Sequence, residues 1–159
     1  MDSATLYNIV KTLHILSAVI ITGTGFGTAF YLFMVNRSGS LASQAVVARL
    51  VCRADFWFTT PAVIFQPLSG VWLMYQIKMP WSATWIWTTL GLFVFAGVCW
   101  LPVVKWQLDM ARLAEQAVAD GVSSVPPEYK RLAKKWEMLG YPAFSAVIII
   151  FFLMVLKPM

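Results

Sequence analysis

The chain contains one histidine, His14, and its setting is where chemistry is most readily placed. It lies in an apolar run three residues after Lys11, so the two groups share one face of a helix. Ser17, Ala18, Ile21, Thr22, Gly25 and Thr28 roughly continue that face as a small, polar stripe. An ionisable group on the order of 10 Å inside a membrane helix is costly to keep there and is a functional candidate by default. Imidazole is also the usual axial ligand of haem iron. A second reading stands beside that one: a lone histidine hydrogen-bonded to a hydroxyl or carbonyl simply ties two helices together. Lys11 is expected to snorkel to the membrane surface.

Further groups fall within reach of the same chemistry. Thr60 and Gln66 occur in Thr59-Thr60-Pro61 and Gln66-Pro67. Proline lacks an N–H, frees a carbonyl and bends a helix, and Gln66 either satisfies a freed group or meets a ligand. Gly25 is central in Gly23-Thr24-Gly25-Phe26-Gly27. The Gly23/Gly27 spacing allows close helix approach, or else clears room for a flat ligand beside His14. Arg53 or Arg49 is expected to pair with Asp55 or lipid phosphate, and the same guanidinium fork suits a propionate. The predicted cofactor site is therefore His14, Lys11, Gly25, Arg53, Thr60 and Gln66, with His14 the metal ligand and no catalytic residue assigned.

Other chemistries find little support. A hydrolytic triad is disfavoured by the single, membrane-buried histidine. Cys52 and Cys99 form no CxxC or Cys/His cluster and read as apolar filler. The glycines follow no strand, so they are not a dinucleotide fingerprint. The methionines show no MxxM-type cluster, which leaves a thioether copper path weakly supported.

The elements that hold these residues are helices in a membrane. Sixty per cent of the 159 residues are apolar and only 12% are charged, where a soluble domain is about a quarter charged. Crossing about 30 Å of hydrocarbon takes about 20 helical residues. Four segments qualify, and isolated strands are excluded because backbone groups in lipid need internal partners. The expectation is an all-α, four-transmembrane-helix bundle forming a single integral membrane domain, 1–159. Its helices run about 5–35, 41–77, 81–119 and 128–157. The first run is too long, and too poor in a cleavage motif, to be a signal peptide.

Nine basic residues (Arg37, Arg49, Arg53, Lys105, Arg112, Lys130, Arg131, Lys134, Lys135) flank the connections after the first and third helices, against Lys11, Lys78 and Lys157 elsewhere. That bias puts both termini on the non-cytoplasmic side. Tryptophans 57, 100, 106 and 136 near one boundary, and 72, 81 and 85 near the other, read as aromatic belts. The net charge of +5 is a topology signal and not a nucleic-acid footprint. Membrane lipids are the expected partners, with anionic headgroups facing Lys130, Arg131, Lys134 and Lys135.

Several segments carry a resemblance: Val10-Lys11-Thr12-Leu13-His14-Ile15-Leu16-Ser17-Ala18, Arg53-Ala54-Asp55 through Thr60-Pro61-Ala62, Gln66-Pro67-Leu68-Ser69-Gly70, Trp100-Leu101-Pro102 and Pro142-Ala143-Phe144. Together they resemble a family of small bacterial membrane proteins of unknown function. More distantly the arrangement is similar to HemJ-type protoporphyrinogen oxidases and CopD-type membrane domains, through Lys11 and His14, Thr60-Pro61-Ala62 with Gly70, and Lys157-Pro158. The resemblance implies a bacterial inner membrane location and a haem b ligand at His14. This chain departs from the HemJ pattern at Phe33, at Trp85-Ile86-Trp87-Thr88 and at Leu139-Gly140-Tyr141, where arginine, lysine and an Asn-Glu pair are expected.

Three functional readings follow. One is a haem b or tetrapyrrole-binding bundle, with a possible redox role. Its iron is five-coordinate, or takes a solvent or thioether sixth ligand, or is shared across a homo-oligomer. Another is a non-catalytic accessory or assembly subunit of a larger membrane complex, with a structural His14. The third is a small transporter component.

Overall fold

The computed structural model describes residues 2–158; Met1 and Met159, the ends of the expected 1–159 domain, lie outside them. The described residues are helical and contain no strand. The elements are α1 (Ser3–Ser38), α2 (Leu41–Ala54), a π-turn (Asp55–Thr59), α3 (Thr60–Gln76), α4 (Thr84–Ala119) and α5 (Pro127–Leu156).

Local chemistry sets the helix ends. Asp2 accepts the Thr5 backbone N–H at 2.8 Å and so caps α1, a bond that holds its carboxyl below the usual range. At the far end Ser38 Oγ donates to the Val35 carbonyl at 2.8 Å, and Gly39 turns the chain at φ +73°, a conformation open to glycine at little cost. Ser40 then caps α2, its Oγ accepting the Ser43 N–H at 3.4 Å. Pro127 opens α5 with a ring that needs no donor.

Helices α1, α4 and α5 are long and apolar enough to cross a membrane. At 1.5 Å per residue, the 36 residues of α4 extend about 54 Å, well past about 30 Å of hydrocarbon. Helix α3 differs. Its 17 residues reach only about 25 Å, and the run attains crossing length, about 30 Å, only with the five residues of the π-turn. The π-turn lies immediately before Pro61: the Thr60 N–H reaches back to the Asp55 carbonyl, and Thr60 Oγ1 bonds the same oxygen at 2.9 Å. One extra residue in the turn accommodates a proline that cannot donate.

The chain divides into two compact units. Unit 1 holds α1 up to Ala29 together with Arg53–Trp81, which includes the π-turn and α3. Its buried residues are His14, Ser17, Asp55, Thr59, Ser69 and Ala62; Ala62 alone is apolar. Unit 2 holds Phe30–Cys52 with α4 and α5, and its interior is ordinary: Leu32, Ala48, Ile86, Met110, Ala114 and Tyr129 are all 1% exposed or less. Alanines 111, 114, 117 and 133 are buried too, consistent with close packing of α4 on α5. Large apolar side chains such as Leu16, Val19, Val94, Val98, Leu101, Phe152 and Val155 point outward, as lipid-facing positions do.

Trp85 and Trp136 are buried, at 7% and 6% exposure, and pack into the core of unit 2. One expectation is corrected. A Cβ added at Gly23 or Gly27 meets nothing within 4 Å, so that glycine pair marks no close helix approach in this chain.

Candidate functional site

Three of the buried polar residues of unit 1, His14, Ser17 and Ser69, lie between α1 and α3. His14 Nδ1 lies 2.8 Å from Ser69 Oγ, and Nε2 lies 3.2 Å from Gln66 Nε2. One turn along α1, Ser17 Oγ donates to the Ala62 carbonyl at 3.0 Å. Helices α1 and α3 are thus joined by His14 and Ser17 on one side and by Ala62, Gln66 and Ser69 on the other. These α3 positions recur at i, i+4 and i+7, one face of a helix. Gly70 completes that face, and a Cβ there would stand 3.3 Å from His14 Cε1.

Proton counting links the tautomer to Ser69. Ser69 Oγ sits 2.8 Å from the Phe65 carbonyl, 3.1 Å from that of Gln66 and 2.8 Å from His14 Nδ1, with one proton to give. Given to the imidazole, it leaves the hydrogen on Nε2; given to its own helix, it makes Ser69 an acceptor, so that Nδ1 carries the hydrogen and Nε2 the lone pair. The Gln66 amide donates weakly to that lone pair, and its Oε1 is buried without a partner. Reversing the amide would orphan its nitrogen instead. Either way the cluster lacks one partner, a deficit of about 1–3 kcal/mol for a buried group.

The predicted site residues divide. His14 and Gln66 come together. Thr60 bonds the Asp55 carbonyl and has no bond to the imidazole. Gly25 is partly buried, its carbonyl 3.3 Å from Thr28 Oγ1. Lys11 is exposed one turn before His14, and Arg53 is exposed with no ion pair among the described residues. Arg49 pairs with Glu115 and not with Asp55, whose carboxylate accepts from Thr59 Oγ1 at 2.9 Å. Sequence reasoning left Ser17, Ser69 and Gly70 out of the site. The signal was present as a small, polar face of α3 matching the stripe on α1, though which two helices meet is not a local property.

With the hydrogen on Nδ1, the arrangement offers one nitrogen lone pair whose opposite N–H is anchored, the standard support for a metal-bound imidazole. No group of three or more His, Cys, Asp or Glu side chains gathers among the described residues. A bare metal ion would find one ligand here, whereas a macrocycle that brings four nitrogens of its own needs only this one.

Long apolar helices with a polar centre buried in one helix pair define a helical integral membrane protein. Residues 8–158 match a family model described as a predicted integral membrane protein, DUF2269, and the chain belongs to that family. No curated protein and no solved structure matches it.

Proposed function

We propose that this chain is a four-span protein of the bacterial inner membrane, with both termini outside the cytoplasm, that binds haem b or a related tetrapyrrole through His14 Nε2. The fourth crossing is the run through the π-turn and α3. The observation that carries this reading is the polar interior of unit 1, where Ser69 Oγ lies 2.8 Å from His14 Nδ1 and 2.8 Å from the Phe65 carbonyl, an arrangement suited to an anchored Nδ1–H with Nε2 as the electron-pair donor. Buried polar residues in lipid are costly and mark functional sites. The residues fit one axial ligand, and Lys11 supplies a cation one turn away for a carboxylate. Gln66, which now occupies the lone pair, must swing aside. Bound iron would supply one-electron chemistry. The distant HemJ-type resemblance points the same way for His14, while the residues at Phe33 and Leu139-Gly140-Tyr141 speak against the oxidase reaction.

The test is an absorption spectrum of detergent-purified protein from haem-supplemented cells, before and after reduction. A Soret band that disappears in His14→Ala supports the reading; a featureless spectrum that persists through haem titration removes it. One observation favours a second reading. Both imidazole nitrogens already have partners within unit 1, so His14 also suits a structural pin in an accessory subunit. In that case His14→Ala lowers thermal stability and no Soret band is seen in any preparation.

A further inference from the structure

The first turns of α5 carry a cationic surface that the fold leaves uncompensated. Tyr129, Ala133 and Trp136 recur at i, i+4 and i+7 and are all buried. Lys130, Arg131, Lys134 and Lys135 occupy the remaining positions and are exposed. Of the acids nearby, Glu128 in the first turn of α5 makes no ion pair with the four among the described residues, and three others are committed to arginines. Glu137 takes Arg37 through two bonds, 2.9 and 3.1 Å, with the guanidinium also 3.4 Å from the Phe33 ring centroid. Glu115 takes Arg49, and Asp109 lies 3.9 Å from Arg112. None of the four α5 cations enters an ion pair among the described residues.

Their depth is also defined. The apolar stretch of α5 begins at Met138, so Lys134 and Lys135 lie about 5–6 Å before it and Lys130 and Arg131 about 10–12 Å. Each headgroup layer is about 5–8 Å thick, and lysine and arginine stems span the remainder. We propose that these four residues form a docking surface for anionic glycerophospholipid headgroups in the adjoining leaflet. Charge complementarity selects the occupant: a zwitterionic headgroup offers the same phosphate but no net charge to neutralise four cations.

The test uses the full chain in mixed micelles of phosphatidylglycerol and phosphatidylcholine with matched acyl chains, reading retained lipid by native mass spectrometry. Preference for phosphatidylglycerol is expected to fall roughly fivefold for each cation neutralised in the series K130Q, K134Q, R131Q, K135Q. It should weaken as salt is raised and survive in the charge-preserving variant K130R/K134R/K135R. Equal retention of the two lipids overturns the proposal, as does an unchanged preference in the quadruple glutamine variant. Displacement of phosphatidylglycerol by inorganic phosphate at matched charge would also overturn it, since the surface would then be a free-anion site.

Discussion

The two units bury opposite kinds of residue. In unit 2 the interior is alanine, leucine, isoleucine, methionine and aromatic side chains, with Gln44 and Gln107 the buried polar exceptions. In unit 1 the proportions invert, and Ala62 is the one apolar residue among the six buried. Lipid tails are as apolar as leucine, so burying more leucine gains little inside a membrane, and helices associate through close packing and hydrogen bonds. Unit 2 relies on packing of small residues. Unit 1 relies on hydrogen bonds around an imidazole, and its network is incomplete at Gln66 Oε1. Unit 2 also holds buried side-chain atoms without a hydrogen-bond partner, on Asn36, Thr89, Gln107 and Trp136; what sets unit 1 apart is an interior that is almost wholly polar and includes the chain's one histidine.

Substitutions can break or sharpen the contrast. The largest effect is expected in unit 2. Tyr129 is 1% exposed and donates to Asn36 Oδ1 at 2.7 Å, so Tyr129→Ala should cost about 3–5 kcal/mol. Thermal unfolding in detergent measures it. Tyr129→Phe keeps the volume but strands the Asn36 oxygen, and should cost about 1–3 kcal/mol. If Tyr129→Ala were silent, unit 2 would not be the packed half.

In unit 1 the expected effects fall on the ligand more than on the fold. Ser69→Ala removes the Nδ1–H acceptor and should weaken haem retention about 10–100-fold. Its stability cost should stay near 1 kcal/mol, in line with hydrogen bonds between membrane helices. Equal losses of ligand and stability would reduce Ser69 to a structural bond. Gly70→Ala places a Cβ 3.3 Å from His14 Cε1 and forces the ring aside by a few tenths of an ångström. A shifted Soret maximum at nearly unchanged melting temperature is the expected readout. Smallest of all is Gly23→Ala. With nothing within 4 Å of the added Cβ, it should be neutral or stabilise by up to about 1 kcal/mol through helix propensity. A marked loss of stability would restore the close-approach role that the glycine spacing implies.

What could be read from residues alone follows the reach of the interactions. Most helix ends were legible because their determinants are local: Gly39, Lys78-Met79-Pro80 and the prolines at 126 and 127 act within one turn. His14 as a buried polar centre was legible because a lone ionisable group in an apolar run is conspicuous. Ser69 was not, because its bond to His14 joins residues 55 apart and depends on which helices are neighbours. Proximity in sequence offers Asp55 or lipid phosphate as the partner of Arg53 or Arg49, yet Arg49 pairs with Glu115, 66 residues away. The π-turn was hidden for another reason: Pro61 predicts a distortion but does not choose between a kink and an inserted residue.

The most direct test of the central claim exploits the single histidine. Protein labelled with 15N-histidine gives one imidazole to observe by NMR, without ligand. A haem ligand at this position requires a hydrogen on Nδ1 and an unprotonated, pyridine-like Nε2, and that is the expected spectrum. A hydrogen on Nε2, with Nδ1 accepting from Ser69, would contradict it: the lone pair would then be committed between the helices, and His14 would be a pin.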